Sequence, residues 1–366
     1  MRWRGLLHWT TVTPIVSFIV LVPSWIWHPA PWVMAIEAVF LIASVLAAVH
    51  HAEVIAHKVG EPFGSLVLAV AVTVIEVALI VTLMVSGKGD TSTLARDTVF
   101  AAVMLTMNGI VGISLFVGAV KYHLAVFNPE GTGAALGAVI LLACLSLVLP
   151  RFTTSEPGPR FVSAQLIFVA IASLVIYGLF VFTQTIKHRD FFLPVKDAPI
   201  EDAPHEAHTD TGSPGPTAWV TSIALLPIAL VCVVGLTKVE SPAIEVGVRA
   251  LGFPPSFVGV IIAIMVLLPE SIAAVKAAAQ NRTQISLNLG YGSAMASIGL
   301  TIPTLALASP WLPTQLTLGL TPMQIMLLAV SSMVAVLTVV PGRAKTLHAS
   351  LQLVLLAAFI FLAIVP

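Results

Sequence analysis

Charge is what this 366-residue sequence has least of: only 9% of its residues are Asp, Glu, Lys or Arg, against roughly a quarter in soluble globular chains. That scarcity excludes an intrinsically disordered chain. Lys+Arg and Asp+Glu both number 17, so no net charge draws the protein to a polyanion, and a nucleic-acid platform is excluded as well. Cysteine is almost missing. Cys144 and Cys232 both lie in long apolar runs, which suits packing rather than a disulfide scaffold, a redox pair or a metal pair. What fills the chain instead is hydrophobic residue, 58% of the total, and the class that remains is a polytopic helical membrane protein.

Apolar stretches long enough to cross roughly 30 Å of hydrocarbon occur at 9–27, 32–52, 63–84, 98–119, 134–150, 162–185, 218–237, 256–278, 285–308, 322–340 and 346–365. Pro- and Gly-rich connectors separate them, such as HPAP at 28–31 and NPEGTG at 128–133. The first run follows Arg2 and Arg4 but is long and lacks a small-residue cleavage site, so it reads as a retained helix. With the N-terminus in the cytoplasm, eleven of the 17 Lys and Arg fall inside, the asymmetry that sets orientation. An odd number of spans then puts the C-terminus outside. All seven Trp lie near span ends, as an interfacial belt requires. The long hydrophilic segment is 187–217, with Asp197, Glu201, Asp202, His205, Glu206, His208 and Asp210. It reads as a disordered cytoplasmic linker. The expected organisation is therefore a leading helix (1–31), five helices (32–186), the acidic linker (187–217) and five more helices (218–366).

Most charged side chains fall in connectors, but Glu76 and Glu270 fall near the middle of spans three and eight. An ionisable group at that depth is costly and marks function by default. Glu37 lies a few residues from the outer end of span two, within reach of the interface. Spans three and eight are each the second helix of their group of five, and both follow a Gly/Pro-rich lead-in (GEPFGS at 60–65, GFPPSFVG at 252–259). Five is odd, so equivalent helices run in opposite directions. The pattern is an inverted repeat, with its binding site expected at the midplane.

The neighbouring residues suit a hard cation. Pro269 inside span eight displaces the carbonyl four residues earlier, that of Met265, and a freed carbonyl is a good oxygen ligand. Thr73 sits one turn from Glu76. Asn108, Gly109 and Gly112 in span four, and Asn288, Gly290, Gly292, Ser293 and Ser297 in span nine, add neutral oxygens among small residues, although close helix packing also explains small residues. The candidate cation and proton ligands are thus Glu76, Glu270, Thr73, Asn108, Met265 and Ser293. His50, Glu53 and His57 share a helical face at the cytoplasmic end of span two. Their order differs from the His-Glu-x-x-His arrangement of zinc hydrolases, so a proton relay or cation funnel, or a solvated helix end, is expected rather than an enzyme.

At these residues the sequence resembles the ChaA-type bacterial cation/proton antiporters, in the calcium/proton exchanger branch of the calcium/cation antiporter superfamily. The resemblance is carried by HHAEVIAHKVGEPFGSLVLAVAVTVIEVALI at 50–80, ARDTVFAAVMLTMNGIVG at 95–112 and LLPESIAAVKAAAQNRTQISLNLGYGSAMASIGLTIP at 267–303, and it covers nearly the whole chain. It implies an all-α membrane protein of about eleven helices, one leading helix plus two inverted five-helix repeats, in a bacterial inner membrane. It further implies efflux of cytosolic Ca²⁺ in exchange for H⁺, with the two glutamates as shared ligands and no cofactor. Many members carry Gly-Asn-x-x-Glu in both repeats, whereas this chain reads Val72-Thr73-Val74-Ile75-Glu76 and Val266-Leu267-Leu268-Pro269-Glu270. The missing Asn oxygens leave Na⁺ or K⁺ exchange as an alternative to Ca²⁺, and a cation channel as a further one. The implied partners are small cations, protons and the bilayer; oligomeric state, stoichiometry and the linker's role in regulation stay open.

Overall fold

A computed structural model describes residues 9–26, 31–60, 63–86, 91–195 and 218–366. The acidic residues of the linker between 197 and 210 lie outside the described residues, as do Arg2 and Arg4. Among the described residues, eleven helical stretches are long and apolar enough to cross a membrane, one for each expected run. The protein is all-α and polytopic. Its described strands are two-residue pieces, β1 (Ala125–Val126) and β2 (Arg343–Ala344), paired antiparallel.

The chain divides into two compact units that interleave along the sequence: Met1–Lys88 with Pro199–Gly247, and Gly89–Ala198 with Val248–Pro366. The first unit contains α1 (Trp9–Ile26), α2 (Pro31–Val59), α3 (Phe63–Ser86) and nearly all of α8 (Ala218–Ala250). Ser44 Oγ donates to Ser17 Oγ at 2.9 Å and joins α2 to α1. The α8 backbone comes equally close to α1, because a Cβ on Gly235 would sit 2.5 Å from Leu21 Cδ2. At one end of this bundle His51 is almost fully buried, with Nδ1 3.0 Å from Ser222 Oγ and Nε2 2.9 Å from the Thr10 carbonyl. One imidazole therefore ties α2 to α8 and α1. The seventh span was expected to stop at 237, before Lys238. The helix continues to Ala250, because Lys238 places its ammonium 4.5 Å from the Trp25 ring centroid and its stem can pass along apolar surface.

In the second unit, α4 (Leu94–Met104), a π-helical turn (Leu105–Ile110) and α5 (Val111–Tyr122) make one span. It is followed by α6 (Pro129–Ala143), α7 (Ser163–Phe182), α9 (Phe257–Ala279), α10 (Thr283–Ala308), α11 (Pro322–Val339) and α12 (Thr346–Ile364). Local sequence explains the helix starts. Asn128 caps α6 by accepting from Glu130 N at 2.9 Å, with Pro129 in the first turn. Thr321 and Gln324 form a reciprocal capping box on α11. The C-terminal carbonyl of Ala279 on α9 accepts from Lys121 Nζ at 2.7 Å and Tyr122 Oη at 2.8 Å.

The backbones of α9 and α4 approach closely where the two helices cross. A Cβ on Gly259 would lie 2.7 Å from the Thr98 backbone nitrogen and 2.8 Å from the Asp97 carbonyl carbon. Backbone cannot yield as a side chain can, so Gly259→Ala is expected to force the helices apart and cost about 1–3 kcal/mol. Thermal unfolding of the purified variant in detergent measures this, and an unchanged midpoint would show the contact to be looser than described.

Candidate functional site

Glu76 lies on α3, a helix apolar along nearly its whole length, and it is 2% exposed. Thr73, one turn earlier on the same face, is also buried, and its hydroxyl donates to the Ala69 carbonyl at 2.8 Å. That bond uses the hydroxyl proton and leaves the oxygen able to accept or ligate. Both residues belong to the first unit.

The other expected ligands belong to the second unit. Glu270 and Met265 are half-buried on α9, and Ser293 is half-buried on α10. Pro269 sits inside α9 as expected, while Ser271 Oγ donates to the next carbonyl but one, that of Leu267, at 2.6 Å. Asn108 falls in the π-helical turn against which α9 and α10 both pack. Such turns interrupt the regular backbone ladder and are frequent at functional sites. Asn108 is fully buried; its Nδ2 donates to Ser331 Oγ at 3.0 Å, and its Oδ1 has no hydrogen-bonding partner among the described residues. Thr106 Oγ1 in the same turn is likewise buried without one. An unanswered buried oxygen costs about 1–3 kcal/mol, a cost that an ion or water meeting it would offset. Sequence reading passed over Thr106 because nothing in the sequence marks a π turn.

Asn288 is committed elsewhere. Its Nδ2 donates to the Phe192 carbonyl at 2.6 Å and its Oδ1 accepts from Gln284 at 2.9 Å. It anchors the 3-10 turn at Arg189–Phe192, so its oxygen is already engaged by a neighbour. On α2, Glu53 and His57 are exposed and His50 is half-buried beside His51, the ring centroids 5.7 Å apart. Among the described residues, no three His, Cys, Asp or Glu converge as a metal-holding group.

Other expectations about charge are corrected. Glu37 does not reach an interface: it is fully buried on α2, and Ser24 Oγ on α1 donates to its Oε1. Its carboxyl also lies within hydrogen-bonding reach of Glu240 on α8, which is 2% exposed. Arg96 and Asp97 are not connector residues but a buried ion pair in the first turn of α4, Nη2 to Oδ1 2.7 Å. The available signal was the position of Glu240 three residues beyond the expected end of span seven, where a longer span would have enclosed it.

The chain matches the family described as sodium/calcium exchanger protein over residues 29–186 and 221–365. The y4hA protein of Sinorhizobium fredii (strain NBRC 101917 / NGR234) is 42% identical over 333 residues, covering 91% of this chain and 89% of the relative. The sodium-potassium/proton antiporter ChaA of Escherichia coli (strain K12) is 32% identical over 356 residues, covering 95% and 94%. Among solved structures, native YfkE superposes with a TM-score of 0.72 at 16% identity over 98% of this chain and 100% of that one. The H⁺/Ca²⁺ exchanger CAX gives 0.68 at 14% identity over 96% and 88%. At such identities the structures show the shared fold alone.

Proposed function

The chain belongs to the sodium/calcium exchanger protein family, a multi-pass cation exchanger, and from that premise we propose that it exports cytosolic Ca²⁺ in exchange for H⁺ across the bacterial inner membrane. The observation that carries the reading is one carboxyl inside the second helix of each half, Glu76 on α3 and Glu270 on α9. In the inward-facing state the ionised pair takes a cation together with neutral oxygens: Thr73, the Met265 carbonyl, Asn108 and Ser293. In the outward-facing state protons displace it. Cation and protons compete for the same carboxylate oxygens, so only one cargo is carried at a time, and the empty, doubly ionised site is the state that must not cross. His50, Glu53 and His57 at the inner end of α2 deliver or collect ions. The N-terminus lies in the cytoplasm and the C-terminus outside.

A second reading, Na⁺ or K⁺ exchange with little Ca²⁺ activity, is favoured by two observations. Both acid motifs lack the Asn oxygen, and the Escherichia coli relative is named a sodium-potassium/proton antiporter. Purified protein in liposomes, tested for proton release driven by Ca²⁺, Na⁺ and K⁺ gradients in turn, decides between them. Current without a proton gradient would instead make the protein a channel.

The Met265 carbonyl has its own test. Pro269→Ala restores the backbone N–H that would engage that oxygen. The expected outcome is a raised KM for the cation with a smaller change in maximal rate, read from proton release across a range of cation concentrations. A hinge role for Pro269 would move both parameters together, and an unchanged KM would remove the carbonyl from the ligand set.

A further inference from the structure

The first unit holds a pair of acids that the exchange reaction above does not use. Glu37 on α2 is 0% exposed and Glu240 on α8 is 2% exposed, and their carboxyls are within hydrogen-bonding reach of each other. Ser24 Oγ satisfies Glu37 Oε1. Neither Glu37 Oε2 nor Glu240 Oε1 meets an N–H or O–H donor among the described residues. Carboxylates only accept hydrogen bonds, and two like charges in contact away from water repel strongly. A proton between the two acids removes both difficulties at once.

No neighbouring charge offers another solution. Among the described residues, α1 carries no ionisable side chain, and α3 carries Glu76 alone. On α2 the remaining ionisable groups, His50, His51, Glu53, His57 and Lys58, begin thirteen residues past Glu37, about 20 Å along the helix at 1.5 Å per residue. On α8, Lys238 is held over Trp25, Glu245 and Arg249 lie further along, and no described Lys, Arg or His forms an ion pair with either acid. A hard cation such as Ca²⁺ takes six to eight oxygens, more than two carboxyls and one hydroxyl provide.

We propose that Glu37 and Glu240 form a second proton-binding site of this protein, separate from Glu76 and Glu270. The shared proton joins the first helix of the first half to the first helix of the second. While it is present the pair carries a single negative charge instead of two, and α1, α2 and α8 stay together. When the pair is opened to water and stripped, the two carboxylates repel and the contact is released.

Infrared difference spectroscopy on the full-length protein in liposomes, free of transported cation, tests this at neutral pH. Wild type is expected to show the carbonyl stretch of a protonated carboxyl. Glu37→Gln/Glu240→Gln is expected to lose one carboxyl's share of that band, because two amides satisfy each other without a titratable proton. Glu76→Gln is expected to keep that share. This control separates the pair from the transport site, whose failure would appear in proton-release assays and not in this band. If the double variant does not fold, Glu240→Gln alone serves, since its amide N–H donates to Glu37 in place of the proton. A wild-type protein with no protonated-carboxyl band at neutral pH would overturn the proposal, and so would a folded variant whose band is undiminished.

Discussion

Glu76→Gln and Glu270→Gln are each expected to reduce exchange by about a hundredfold or more, equivalent to ~2.7 kcal/mol on the limiting step. Glutamine keeps the volume and most of the hydrogen-bonding of glutamate, so both variants should insert and fold. What it lacks is the ability to carry charge or take up a proton. A site in which cation and proton share an oxygen loses both halves of the cycle at once. The effect should therefore appear as lost maximal rate rather than as weaker affinity. The buried position of Glu76 and the half-buried position of Glu270, each inside an apolar membrane-length helix, give the two substitutions similar expected sizes. Cation-driven proton release in liposomes is the measurement. Near-normal exchange by either variant would reduce that residue to a packing acid.

The second large effect is expected far from the transported ion in chemical terms. Asp97 accepts from Arg96 Nε at 2.8 Å, from Thr93 Oγ1 at 3.0 Å and from Gln324 Nε2 at 3.4 Å, while Arg96 Nη1 reaches the Gly319 carbonyl at 3.4 Å. This network fastens the start of α4 to α11 and to the segment before it. Asp97→Ala leaves the guanidinium buried without its counter-charge, which costs about 3–5 kcal/mol. Arg96→Met/Asp97→Ala removes both charges together and should recover most of that loss, because desolvating an ion pair offsets most of what its attraction contributes. The comparison of unfolding midpoints in detergent is the check. Equal destabilisation by the single and the double variant would mean that the packing of these side chains, not their charge, holds α4 in place.

Hydropathy made the eleven spans legible, because a run of some twenty apolar residues has few other uses in a chain this poor in charge. It also made Glu76 and Glu270 conspicuous, since a lone carboxylate in such a run stands out without any knowledge of its neighbours. The same logic misjudged Glu240 and Asp97. Lys238 and Arg96 sit next to them and look like span ends. The lysine, however, is accommodated by Trp25 on α1 and the arginine by Asp97 itself. A window that averages hydropathy registers neither an aromatic partner on another helix, as for Lys238, nor a charge neutralised by its own neighbour, as for Arg96. Asn288 is a different case: its residue type suits a cation ligand, but its Oδ1 accepts from Gln284 and its Nδ2 is held by the Phe192 carbonyl, ninety-six positions away. Thr106 needed the π turn, which no composition rule marks.

The interleaving of the two units sets an order for synthesis. The first unit opens with the chain up to Lys88 and is completed only when Gly247 has been made. Ribosomes add roughly 5–20 residues per second, so α1, α2 and α3 spend roughly 8–30 s in the bilayer before α8 follows. During that interval Ser17 and Ser44 can already pair, as can Ser24 and Glu37. His51 still lacks Ser222, and Glu37 still lacks Glu240. The young three-helix bundle thus carries an imidazole and a carboxyl that each still lack one partner, and it must hold its shape through that absence. Ribosome stalling or truncation between residues 88 and 218 would strand it there, exposing the surface that membrane quality-control proteases recognise in an unfinished protein.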